Sequence, residues 1–149
     1  MPTPKAPAAA LNASSEDAEA QFYEAMRDGD LERMMAVWAD DDEVVCVHPG
    51  GARLVGPQAV RAAFEAVFAS GHIVVHPEHV KRVHSMGCAV HSVLERIDVV
   101  TADGPRSGWI LATNVYVKTG LGWRMVAHHA SPGAPDEIAE ITDTPSVLH

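Results

Sequence analysis

A chain of 149 residues, 47% of them apolar and 21% charged, is long enough for one hydrophobic core and too apolar to stay disordered. Twenty Asp and Glu against 11 Lys and Arg leave a formal charge of -9, which repels nucleic acid and anionic membrane surfaces, and neither is expected as a partner. Cys46 and Cys88 lack the paired spacing of a thiolate zinc site, and no apolar run approaches the roughly 18 residues that span a bilayer. With no cationic, apolar leader at Met1, the expected location is the cytoplasm.

Residues 1–14, where Pro2, Pro4 and Pro7 interleave with alanines, read as a mobile arm; residues 15–133 form one domain, and 134–149 a tail. Ser14 and Ser15 ahead of Glu16 and Asp17 supply a cap and an acidic first turn. Ala18, Phe22, Ala25 and Met26 then recur at helical spacing until Gly29 ends the helix. Asp30 caps a second helix striped by Leu31, Met34, Met35 and Trp38. The acidic run Asp40 to Glu43 is a solvated loop, because consecutive carboxylates cannot converge on one ion. Residues 44–48 form a short strand closed by Pro49-Gly50-Gly51, and Pro57 opens a third helix with Val60, Phe64, Val67 and Phe68 on its apolar stripe.

Beyond Gly71 the pattern changes, and residues 73–83, 88–99, 109–118 and 123–130 read as strands joined by short glycine-containing turns. Helices followed by a meander define an α+β protein: a strongly curved antiparallel sheet packed on three N-terminal helices. Both faces of the strands are apolar, so one covers the helices and the other is expected to pair two copies as a homodimer.

Alternation along 109–118 places Asn114 on a face with Ile110, Ala112 and Tyr116. If Lys118 lies opposite Trp123, the same face receives Met125, Ala127 and His129, and His128 points away towards a partner subunit. An amide in such company bonds a ligand, a buried water or His129. His72, His76, His79, His84 and His91 cluster in the middle of the chain. No helical pair of histidines flanks an acid, so no metal is expected, and the cluster lines a strand edge or acts as a pH switch. His48, ending a strand at a tight turn, either bonds turn backbone or holds a proton near neutrality. Ser131 sits in a strand exit, not a nucleophile elbow.

The element order, with Gly29-Asp30-Leu31 and Trp38-Ala39-Asp40-Asp41, resembles the nuclear transport factor 2-like superfamily over about residues 16–132. The SnoaL-like branch is the nearer resemblance and ketosteroid isomerase the more distant. That resemblance implies a cone-shaped sheet and a pocket. The isomerase's shuttle aspartate before a proline falls on His48 before Pro49; its tyrosine falls on Phe22, which has no hydroxyl; its protonated aspartic acid falls on Asn114. Steroid isomerisation by that route is not expected.

The expected function is a SnoaL-like domain binding a small, apolar or carbonyl-containing ligand without a cofactor. His48, Asn114 and His129 are the candidate catalytic groups, for proton transfer of isomerase, cyclase or dehydratase type. Phe22, Trp38, Tyr116 and Met125 are candidate ligand contacts. The competing expectation is a non-catalytic association module or ligand carrier.

Overall fold

The computed structural model describes residues 12–71, 73–133 and 140–143. Residues 1–11 of the expected arm, His72, and residues 134–139 and 144–149 of the expected tail lie outside the described residues. Asn12, assigned to the arm, is instead buried, its carbonyl accepting the Trp123 amide at 3.0 Å and its side chain donating to Gln21 at 3.2 Å.

Ser14 Oγ accepts the Asp17 amide at 3.1 Å and starts α1 (Ser15–Asp28). Gly29, at φ 62°, ends it in the left-handed region, which lets the Asp30 amide reach the Ala25 carbonyl at 3.0 Å. Asp30 in turn accepts the Arg33 amide at 3.1 Å and caps α2 (Leu31–Val37). Two short strands, β1 (Val45–Val47) and β2 (Leu54–Val55), precede α3 (Pro57–Ala69). The long strands β3 (Val74–His84), β4 (Cys88–Thr101), β5 (Gly104–Thr119) and β6 (Gly122–Gly133) complete the chain.

The six strands form one curved, open sheet in the order β2-β1-β6-β5-β4-β3. The expected α+β arrangement of three helices on a curved sheet is what the chain adopts. The sheet is mixed, however, not wholly antiparallel: β1 runs parallel to β6, with Val45 opposite Ala127 and Val47 opposite His129. Hairpin reasoning links strands adjacent in sequence, whereas β1 reaches the sheet from α2 and finds β6 only after the meander has been laid down. The β4–β5 hairpin is also longer than expected, its ladder continuing to Thr101 opposite Gly104.

Two irregularities bend the sheet. In β3 the register shifts between Glu78 and Lys81, and His79 takes a positive φ of 48°. In β6 the pairs Val115 with Ala127 and Tyr116 with Met125 leave Val126 as one extra residue. Lys118 does pair with Trp123, as the hairpin reading expects. The extra residue then reverses the alternation beyond it, so Met125, His128 and Ala130 face inward and His129 is exposed.

The helices fill much of the concave side. Phe22 of α1, Met34 and Val37 of α2 and Phe64 of α3 are fully buried with Tyr116 and Met125 of the sheet. Phe64 meets Phe22 edge-on at 6.1 Å between ring centroids and Trp38 at 6.3 Å. Truncation of Phe64 to alanine removes the ring that joins α3 to α1 and α2, and should cost about 3–5 kcal/mol of stability in urea denaturation.

Candidate functional site

Between the C-terminal turn of α1, the end of α3 and the concave sheet lies a cavity of about 510 Å³, within the range of small-ligand sites. Its apolar wall comes from Met26 of α1, Val67 and Phe68 of α3, and Ile97 and Ile110 of the sheet. His48, Glu95 and His128 interrupt that wall.

Behind these groups runs a directed chain of hydrogen bonds. His128 Nδ1 lies 2.5 Å from Asn114 Oδ1, an acceptor, so Nδ1 carries the proton and Nε2 keeps a lone pair. Asn114 Nδ2 donates to the Tyr23 hydroxyl at 2.9 Å, and that hydroxyl donates to Glu95 Oε2 at 2.7 Å. All four side chains are buried, and their links cross from β6 through β5 and α1 to β4. His48 stands beside the chain, its ring centroid 6.1 Å from that of His128 and 5.0 Å from that of Phe64. Its Nε2 is 3.6 Å from Cys46 Sγ.

Burial sets the protonation states. It lifts the Glu95 carboxyl to about 7, partly opposed by the hydrogen bond from Tyr23. The same loss of water drops His128 to about 3, helped by the neighbouring His48 and His129, and pulls His48 below the ordinary imidazole value. Cys46 is pushed up to about 12 by burial and by Glu95, so it remains a thiol. Near neutral pH the cavity therefore holds neutral imidazoles and a carboxyl balanced between its two forms, the condition in which a group both takes and gives a proton.

The sequence-derived candidates separate into distinct places. His48 lines the cavity. Asn114 is fully buried one bond behind it and orients His128 and Tyr23. His129 is not on that face: the extra residue at Val126 turns it outward, and His128, expected to face a partner, takes its place. Phe22, Tyr116 and Met125 belong to the packed core and do not line the cavity. Trp38 borders a smaller cleft of about 270 Å³ with Arg61 and Arg124. The next residue, Tyr23, does carry a hydroxyl, but it is buried on Glu95 and does not line the cavity. Glu95 was not among the candidates; its signal is a lone carboxylate in the inward series Val93, Glu95, Ile97 of an apolar strand.

Comparison with known proteins places the fold. The model of the SnoaL-like domain matches residues 16–135. A Thiobacillus denitrificans protein, described provisionally as a calcium/calmodulin-dependent protein kinase type II association domain, is 40% identical, with a TM-score of 0.76 over 83% of this chain and 98% of its own. A Streptomyces avermitilis protein of the nuclear transport factor 2-like family, described provisionally as a dehydratase, is 28% identical, with a TM-score of 0.73 over 79% of this chain and 93% of its own. The S. rosetta CaMKII hub shares the fold at 21% identity, with a TM-score of 0.65 over 89% of this chain and all of its own. The comparison with curated proteins gives no match.

The raised pKa of Glu95 makes folding depend on pH in a definite direction. The folded state holds the proton more tightly than the unfolded chain, so there is no penalty below about pH 4.5, and stability falls until pH passes about 7. The loss amounts to about 3 kcal/mol. Glu95→Gln should abolish it, gaining stability over the parent protein between urea melts at about pH 4.5 and pH 8. The opposing loss from His128, as pH falls below 6.5 towards 3, is common to both proteins and cancels in the difference.

Proposed function

Since the chain belongs to the SnoaL-like domain family, we propose that its cavity binds a small, mostly apolar carbonyl compound and catalyses proton transfer on it. The observation that carries this reading is the pairing of a neutral imidazole, His48, with a carboxyl near pKa 7, Glu95, on the wall of one apolar cavity. His48 removes a proton from the carbon beside the carbonyl, and protonated Glu95 donates a hydrogen bond to the oxygen as negative charge gathers there. Return of the proton to a different carbon gives isomerisation; loss of a β-hydroxyl as water, protonated by His48, gives dehydration. The lone pair of His128 Nε2 accepts a hydrogen bond from a ligand hydroxyl. Asn114 and Tyr23 position His128 and Glu95 and touch no substrate.

The 28% identity to a protein described as a dehydratase supports the eliminating variant of this chemistry. Solvent-deuterium incorporation beside the carbonyl of a panel of small cyclic ketones, followed by NMR, tests the reading directly. His48→Ala and Glu95→Gln should each slow exchange by about 10²-fold or more. Equal exchange in parent and variants would defeat it.

A second role in self-association is compatible with the first, and the 40% identity to a protein described as an association domain favours it. The convex face carries Val90 and Leu94 of β4, Leu111 and Val115 of β5, and Ala127 and His129 of β6, in register across the sheet. This face pairs two copies, and the cavity on the opposite side stays open to ligand. Leu111→Glu should convert the associated species to monomer in sedimentation velocity while leaving the circular dichroism spectrum unchanged.

A further inference from the structure

A second polar cluster lies at the other end of α1 from the cavity. The cavity is lined by residues from Met26 to Gly29, whereas this cluster begins at Ser15, about 20 Å away along the helix. A carboxylate oxygen of Glu16 and one ring nitrogen each of His84 and His91 lie within 4.8 Å of one another, and Glu16 Oε1 is 3.5 Å from His84 Nε2. Donors around a tetrahedral zinc ion, bonded at about 2.0–2.1 Å, lie about 3.4 Å apart, so Glu16 and His84 already have the spacing and His91 closes on them from within 4.8 Å.

The three side chains meet around one hydroxyl. The Ser15 hydroxyl sits among the three donors, 3.0 Å from Glu16 Oε1, 3.0 Å from His91 Nε2 and 3.2 Å from His84 Nε2. Its one hydrogen serves either Glu16 or His91, while His84 Nε2 donates or accepts according to its tautomer. His91, fully buried, directs Nδ1 at the Glu19 carboxylate at 3.2 Å, which fixes the proton there and leaves Nε2 with a lone pair. Glu19 is itself held by Arg82 at 2.6 Å. Burial raises the Glu19 pKa, yet the bonds from His91 and Arg82 outweigh it and keep the group ionised. A carboxylate behind a histidine whose far nitrogen faces two further donors is the arrangement that supports a bound transition metal. The series Ser15, His91, Glu19 also follows the order of a hydrolytic triad, but the serine is 1% exposed and no substrate can reach it.

We infer that Glu16, His84 and His91 form a binding site for a divalent ion of the zinc type, with Glu19 as its outer carboxylate. The ion occupies the point on which the three donors converge, and Ser15 turns aside or supplies a fourth oxygen. The positive end of α1 opposes a cation here, and Arg82 adds to that opposition; Glu16 and Glu19 offset both. Bound metal fastens the start of α1 to the β3–β4 hairpin and takes no part in the cavity's chemistry.

The test is Zn²⁺ titration of chelator-treated, full-length protein by calorimetry, with thermal unfolding recorded with and without the ion. Glu16 and His84 are exposed, so Glu16→Gln and His84→Ala should fold normally. The parent protein should show one tight site and a raised Tm. Each variant should lose the tight site and the rise in Tm, and Glu19→Gln should weaken binding by about 10–100-fold. Unchanged affinity in both exposed variants, or no rise in Tm in the parent, would overturn the assignment.

Discussion

One extra residue in β6 governs the interior of this protein. With uninterrupted alternation, Met125 and His129 would share a face and His128 would lie outside; Val126 breaks that alternation, so Met125 closes the core while His128 enters the cavity wall. From that position its Nδ1 finds Asn114, and the bonded series continues through Tyr23 to Glu95. The bulge also adds curvature where the sheet must close over α1. The bonded series from His128 to Glu95 thus depends on the parity that this bulge sets.

Keeping these groups out of water is costly, and the molecule limits the cost by its choice of protonation states. A buried, unpaired carboxylate would be strongly unfavourable, but Glu95 can hold its proton up to about pH 7, and the Tyr23 hydroxyl serves it in either form. His128 avoids the same penalty by remaining neutral. Each member of the chain has a partner, so the series holds its members in one arrangement instead of leaving polar atoms stranded. A stability cost is thereby concentrated at one residue facing the cavity, which is where the proposed chemistry needs an exchangeable proton.

Much of the fold was legible because local rules agreed with one another. The Ser14 cap, the left-handed Gly29, the Asp30 cap and the register of Lys118 with Trp123 all follow from nearby residues. The parallel pairing of β1 with β6 was not, because it joins segments some 80 residues apart. The exchange of His129 for His128 had the same character: a bulge changes parity without leaving a residue of special type at Val126. Pattern alone does not separate Tyr23 from Phe22, because the two are adjacent on the helix and both are buried, one among rings and the other towards a carboxylate. The midchain histidines show the limit of composition alone. His91 is buried on a carboxylate, His84 is exposed beside it, and His76 pairs with Asp98 at 3.1 Å on the sheet's rim.

The irregular course of β3 has a consequence for how copies of this chain can meet. β3 is an outer strand of the sheet, 11 residues long, and a straight strand of that length would be a template onto which another chain could zip. Pro77 offers no amide hydrogen, and the kink at His79 throws the following residues out of step. A foreign strand would find its ladder broken midway. The proline and the kink thus work against growth of the sheet from one molecule into the next along this border.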